Sequence, residues 1–517
     1  MSGKSSLNEA LVLTLCVTLS LIVRFAVLLT KPSFVVAGDS GEYAALVREL
    51  VSNNFAVPSK NWIYYPGSSW IYPPLLLEIF ALLTKIFGER GLTILHIMSV
   101  FSVTVDSLSV IPFYYAIKRL FGKASAVFGA FLFVGYYPDI YALTWGAHPQ
   151  IFATFLLLCS FYFLVRAVES QSLRFFAFSG LTLSLISLSH DLTTFVALSG
   201  LGVYFVTRCI KAIRTKIVDK TLVGVAISLA IFLPSFGYWY LPRLSWVLGV
   251  AFSAQSAGFT PNFSSFVGSV VQPLGPVFPF LLLLLLLFSF LSAKKLSRME
   301  KGEGVWLLIS FVIGAFILML FELKDVVLAT RLSYYIFLPA ALLVCFVNRK
   351  RSTLFALFLA SLLVLNVAVA VQANSRAHTY FDECFECDSR ALVTQMRVLT
   401  WIDQNVPRSA VFASAGELGY YIAGLDGNPT LVYHPLEYLT QPQEKAESLA
   451  AYVLVYQPAQ NLSLTIKYVF LYNVSYVVVY NPVVQTPCFY EAVYKDSTVT
   501  VFRVVHDPSC VFSQQTM

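Results

Sequence analysis

Two acids, Asp39 and Glu42, stand in the segment AGDSGEYAALVREL (37–50), among glycine, serine and alanine just after an apolar run. A carboxylate on such a short turn can approach a hydroxyl closely and take its proton. Polar groups recur at the ends of later apolar runs. Asp139 and His148 stand in YYPDIYALTWGAHPQ, His190 and Asp191 in SLSHDLTT, Arg243 in GYWYLPRL, and Glu322, Lys324, Asp325 and Arg331 in FELKDVVLATRLSYY. Charges at a lipid boundary are costly unless paired or lining a wet cavity, so several from different turns imply one shared polar cavity. Carboxylates and cations beside lipid suit transfer of a sugar from a polyprenyl phosphate to a hydroxyl. A base takes the acceptor proton and cations hold the departing phosphate. On that chemistry Asp39 is the base, and Arg331 with Lys324 or Arg243 is the phosphate clamp. Glu42, Asp139, His148 and His190 complete the substrate-binding set.

Each residue also has a plainer reading. Asp39 can cap the helix GEYAALVREL, and Glu42 can be its first-turn acid. Asp106, in the middle of an apolar span, can be a buried hydrogen-bonded acid. His148 and His190 have no second histidine at ligand spacing, which favours positioning over metal binding. Arg331 can anchor its helix at the interface.

The elements that must position these groups are membrane helices. The chain has 517 residues, 57% hydrophobic and 12% charged, with a mean hydropathy of +0.73, which excludes an ordinary soluble protein. Its net charge of +7 lies mostly in short basic clusters at 116–123, 208–216, 293–301 and 348–351, so nucleic acid is not an expected partner. The positive-inside rule puts those clusters and Lys4 in the cytoplasm. The expected spans are 8–30, 92–115, 124–143, 147–167, 174–189, 192–208, 220–240, 274–292, 304–322, 332–347 and 353–373, about 11 helices. The N-terminal run is long for a signal peptide and is expected to be a retained signal anchor. Residues 73–87 are short for a span and break the alternation, which predicts a re-entrant or interfacial helix within a long outer loop, 31–91.

From Arg376 to Met517 the composition becomes mixed, predicting a separate α/β domain outside the membrane. The expected domains are therefore 1–375 and 376–517, with a cytoplasmic N-terminus. The sequons at Asn262, Asn461 and Asn473 fall on the outer side. So do Cys384, Cys387, Cys488 and Cys510, which can form disulfides in one of three pairings, with zinc as the competing reading. Supporting the first loop or binding acceptor is the role expected of this domain.

The order G-D-S-G-E-Y-A (38–44), Y-P-P-L (72–75), F-G (87–88), R-L-F-G (119–122), W-G-x-x-P (145–149) and R-L-S-Y-Y-x-x-x-P (331–339) resembles the GT-C membrane glycosyltransferases. That group includes protein O-mannosyltransferases, aminoarabinose transferases and oligosaccharyltransferase catalytic subunits. The resemblance implies a polytopic GT-C-like fold and Asp39 as the essential first-loop acid. It also implies a polyprenyl- or dolichyl-phosphate sugar donor, and a glycan, lipid or protein acceptor, met at the outer face of the cell membrane. Inverting transfer of a hexosyl or pentosyl group is the expected reaction. Oligosaccharyltransferases carry a W-W-D-Y-G type motif, whereas Trp401 is the only tryptophan here beyond Arg376, so transfer to asparagine is not expected. Those enzymes hold a divalent metal with acids from two loops. Asp39 and Asp139 are the acids that could hold Mg or Mn here, but no D-x-D is present and metal dependence stays open. A transporter or lipid flippase, and a non-catalytic assembly subunit, are the rival classes; clustering of the polar turns on one face favours an enzyme.

Overall fold

The computed structural model describes residues 2–29, 39–58, 70, 72–89, 91–244, 302–321, 335, 389–433, 442–480 and 486–505. The expected spans 274–292 and 353–373, and 332–347 apart from Tyr335, lie outside the described residues. The chain divides into two compact units, one of Met1–Thr30 with Val100–Ser375, the other of Lys31–Ser99 with Arg376–Met517.

The first unit is helical. Its described helices are α1 (Ser2–Leu29), the second half of α4 (Gly91–Leu108), α5 (Val110–Phe121), α6 (Lys123–Val134), α7 (Tyr137–Thr144), α8 (His148–Ser170), α9 (Leu173–Ser187), α10 (Asp191–Thr215), α11 (Lys220–Tyr240) and α12 (Gly302–Phe321). Among the described residues, five stretches are long and apolar enough to cross a bilayer: Glu9–Leu29, Gly91–Phe121, His148–Ser170, Asp191–Thr215 and Lys220–Arg243. Two expectations shift. The span drawn at 124–143 is two helices, because Gly135 ends α6 and Pro138 restarts the chain as α7. The span drawn at 192–208 continues as helix to Thr215, so most of its basic cluster is helical rather than loop.

Small residues let these helices approach closely. A Cβ on Gly224 of α11 would sit 2.1 Å from the Phe176 ring of α9, and one on Gly314 of α12 would sit 2.4 Å from the backbone nitrogen of Gly200 in α10. Serines add cross-helix bonds: Ser228 Oγ donates to Phe176 O at 2.7 Å, and the Ser160 and Ser179 hydroxyls pair at 2.9 Å. Ion pairs collect the start of α1 and the ends of α5 and α8, through Lys118 to Glu9 and Arg119 to Glu169. Arg208 and Lys211 meet Glu303, joining the end of α10 to the start of α12.

The second unit combines α2 (Ser40–Ser52), α3 (Leu75–Phe87) and the beginning of α4 with an α/β layer. At 13 residues, α3 is about 20 Å long, shorter than a hydrocarbon core of about 30 Å. The α/β part runs α13 (Ser389–Asn405), β1 (Val411–Ala415), α14 (Gly416–Tyr421), a π-helical turn at Ile422–Asp426, β2 (Thr430–Tyr433), α15 (Pro442–Tyr456), α16 (Leu462–Leu471), β3 (Val474–Tyr480), β4 (Tyr490–Lys495) and β5 (Val499–Val504). The sheet order is β2-β1-β3-β5-β4, with β1 parallel to both its neighbours and the last two pairings antiparallel. Parallel pairing requires helical crossovers, which α14 with the π-helical turn and α15 with α16 supply. Val411, Leu431, Leu454, Val477 and Phe502 fill the core beneath it.

Candidate functional site

In the second unit Asp39 occupies the N-cap position of α2, half-buried, with Tyr43 N donating to its backbone oxygen at 3.1 Å. Its side chain makes no cap bond, so simple capping does not account for the carboxyl. The helix it opens is largely buried: Tyr43, Ala44, Leu46, Val47 and Leu50 all face packing partners. Glu42, in the first turn, is buried and accepts a hydrogen bond from Tyr72 Oη at 2.7 Å. Tyr72 is the tyrosine of Y-P-P-L, and its ring meets that of Tyr43 edge-on at 5.7 Å. Trp70 Nε1 bonds Tyr72 O at 2.7 Å, fixing that stretch in turn. Two motifs far apart in sequence are thus one constellation around the start of α2.

The first unit holds the other expected residues in two groups. Asp139, in α7, is buried against the carboxyl of Asp106 in α4, close enough for a hydrogen bond between the two side chains. Arg24 of α1 pairs with Asp106 and also donates to Ser20 Oγ at 2.7 Å and Val134 O at 2.9 Å. Arg24 is fully buried. This residue was missed from sequence, although an arginine inside the run LIVRFAVLL is itself a signal, since a charge there is expensive unless paired. The plainer reading of Asp106, a buried hydrogen-bonded acid, describes what is found.

The second group sits where α9, α10 and α11 end or begin. His190 caps α10: Nδ1 accepts from Thr193 N at 3.3 Å and lies 2.8 Å from Thr193 Oγ1. Thr193 Oγ1 in turn lies 2.6 Å from Tyr335 Oη, which brings the last tyrosine of R-L-S-Y-Y to SLSHDLTT. Asp191 accepts from Tyr240 Oη at 2.7 Å, and Arg243 lies within electrostatic reach of Asp191. The Arg243 guanidinium stacks 3.6 Å over the Trp239 ring and donates to Trp239 O at 3.0 Å. His148, at the start of α8, is buried with Nδ1 2.8 Å from Ser102 Oγ, a positioning bond within the helical core. Glu322, Lys324, Asp325 and Arg331 lie outside the described residues.

For a metal, the fit is poor among the described residues. No group of three or more His, Cys, Asp and Glu side chains is arranged to hold an ion. One oxygen of Asp139, Oδ2, is buried without a hydrogen-bond partner, but the neighbours of that carboxyl are Asp106 and Arg24, so a guanidinium already stands beside the two carboxyls where a metal cation would have to sit. Cys488 is disulfide-bonded, which removes the zinc reading of the four C-terminal cysteines. Cys384, Cys387 and Cys510 lie outside the described residues.

Residues 72–239 match the family model described as dolichyl-phosphate-mannose-protein mannosyltransferase. ArnT from Cupriavidus metallidurans, solved bound to undecaprenyl phosphate, superposes with a TM-score of 0.55 at 15% identity, over 96% of this chain and 98% of that one. The chain has the GT-C fold. The Archaeoglobus fulgidus oligosaccharyltransferase, solved with Zn and sulfate, shares it at a TM-score of 0.55 and 16% identity, covering 91% of this chain and 68% of that one. The oligosaccharyltransferase AglB from Archaeoglobus fulgidus, solved with an inhibitory peptide and a dolichol-phosphate, gives 0.55 and 14% over 91% of this chain and 69% of that one. No curated protein sequence matches. The fold bears out the GT-C resemblance and with it a helical membrane protein, and the family model marks residues 72–239 as similar to the mannosyltransferases it describes. At these identities, the structural likeness speaks for the fold, and donor and acceptor are a matter of proposal.

Proposed function

We propose that this GT-C protein transfers a sugar from a polyprenyl-phosphate donor to a hydroxyl acceptor, with Asp39 as general base. The observation that carries the reading is the placement of Asp39: a carboxyl that does not cap its helix, half-buried at the head of an otherwise buried α2. In the step, the acceptor oxygen forms a bond to the anomeric carbon as the bond from that carbon to phosphate oxygen breaks. The acceptor proton passes to Asp39, and the polyprenyl phosphate departs with the electron pair. Attack opposite the leaving group inverts the anomeric centre. Arg331, with Lys324 or Arg243, holds the departing phosphate in this reading, and no step runs through a metal. A polyprenyl-phosphate carrier accords with the dolichol-phosphate and undecaprenyl phosphate in the solved relatives, and mannose on dolichyl phosphate is the first donor to try, given the family model.

The test is transfer by purified protein across a panel of dolichyl- and undecaprenyl-phosphate sugars, with wild type and Asp39→Asn compared. Asn keeps the size of the side chain but cannot take the proton. Turnover is expected to fall at least about 100-fold while undecaprenyl phosphate still binds. Near-normal turnover by Asp39→Asn would move catalysis to another acid, Asp139 first.

A further inference from the structure

We propose that Arg48 and the π-helical turn Ile422–Asp426 form a clamp that sets the position of Asp39, which makes Arg48 a positioning residue and the C-terminal α/β layer part of the transfer machinery. The inference rests on the reading of Asp39 as the base. It begins from the second unit, in which the segment 31–99 packs with residues from 376 onward. Arg48 of α2 reaches across 376 residues of sequence to donate Nε to Gly424 O at 3.1 Å and Nη2 to Leu425 O at 2.5 Å. Two bonds from one planar guanidinium to successive carbonyls fix direction as well as distance. Those carbonyls are accessible because the turn is π-helical, and its successor Gly427 adopts a φ of +77°. A Cβ on Gly427 would sit 3.1 Å from Arg48 Nη1.

The head of the helix is gripped by the same turn. A Cβ on Gly424 would meet Gly41 O at 2.6 Å, and one on Gly41 would meet the Tyr421 ring at 3.1 Å. The two backbones therefore touch without side chains between them. Gly41 is two residues from Asp39; Arg48 is nine residues on, about 13 Å along the axis. A short rigid helix held at head and tail has little freedom to tilt, and a shift of about 1 Å in a reacting group can cost about 100-fold in rate. Arg48 itself touches no reacting atom in this scheme. Its effect travels through α2.

The experiment compares Arg48→Met and Arg48→Lys with wild type in the full-length protein. Arg48→Met preserves length and apolar packing but loses both bonds; Arg48→Lys can restore one. The first readout is hydrogen exchange at the amides of residues 40–46, which reports the clamp without any donor. Exchange is expected to speed up at least about 10-fold in Arg48→Met and less in Arg48→Lys. The second is transfer with the donor that the panel selects, alongside binding of undecaprenyl phosphate as a probe. Turnover is expected to fall about 10- to 100-fold in Arg48→Met, with partial rescue in Arg48→Lys and probe affinity unchanged. Should Arg48→Met fail to fold, Arg48→Lys and Gly427→Ala serve as the milder pair. Unchanged exchange overturns the clamp, and faster exchange with full turnover overturns positioning. If Asp39→Asn keeps wild-type turnover, the assignment of the base has failed, while the exchange result still decides the clamp.

Discussion

Asp426 offers a quantitative test of how the π-helical turn is built. Its side chain is 4% exposed, with Oδ2 lacking a hydrogen-bond partner. Burial and then the like charge of Asp403 push its pKa up from 3.8 to about 8, against opposing pulls from Arg48 and Arg408. The folded state therefore holds this proton more tightly than the unfolded chain does. The stability so gained is complete below about pH 4 and is lost as pH rises toward about 8. At about 1.4 kcal/mol per pH unit, raising pH from 5 to 7 costs about 3 kcal/mol from this one group. Asp426→Asn carries no ionisable proton and removes that slope. The assay is hydrogen exchange at the β1 and β2 amides from pH 5 to pH 8. Wild type and variant are compared at each pH, so that the intrinsic base catalysis of exchange cancels. The variant is expected to gain protection over wild type steadily as pH rises. A difference that does not change with pH would refute the reasoning.

Two further predictions concern the helical unit. Arg24→Met should destabilise by about 3–5 kcal/mol, because it leaves the Asp106 and Asp139 carboxyls buried without their cation, and adding Asp106→Asn should recover part of the loss. Denaturant unfolding of the purified protein measures it, and a loss below about 1 kcal/mol would contradict the pairing. Gly224→Ala should cost about 1–3 kcal/mol, since the added methyl would lie 2.1 Å from the Phe176 ring. Phe176→Leu in the same chain should relieve it, and no relief would mean that α9 and α11 separate freely.

Apolar length and period made the early helices legible. The run beginning near residue 8 and the run beginning near 147 fall within two residues of helix starts or spans, because a bilayer-length apolar stretch has one stable conformation. Short runs rich in β-branched and aromatic residues, AVFAS, TLVY, YVVVY and TVTVFRVV, read as strands from their composition and lie on β1, β2, β3 and β5. YEAVYK, which forms β4, went unread; its exposed Glu491 and Ala492 suit an edge, and only pairing with β5 makes it a strand. The candidate site was legible as a set of residue types but not as partners. Nothing local joins Arg24 to Asp106, 82 residues away, or Thr193 to Tyr335, 142 residues away. The grip of Gly424 on Gly41 is a property of two backbones, so no side chain announces it.

The last prediction separates two roles for Glu42. As a substrate-binding acid it would act on the donor; as found, its carboxyl is buried and accepts from Tyr72 Oη at 2.7 Å. That bond ties the first turn of α2 to the Y-P-P-L stretch that leads into α3, so a structural role would show as coupling between the two residues. Tyr72→Phe removes only the hydroxyl, Glu42→Met only the acceptor, and the double variant removes both. For a buried hydrogen bond the coupling energy should be about 1–3 kcal/mol, read from exchange protection of the α2 amides. Each single variant alone should leave the affinity for undecaprenyl phosphate within about twofold, since a tether does its work before the donor arrives. Coupling near zero, together with weakened binding in Glu42→Met but not in Tyr72→Phe, would return Glu42 to the donor. In the expected outcome, Glu42 and Arg48 hold α2 from opposite ends, and the helix presents one acid, Asp39, whose position both of them determine.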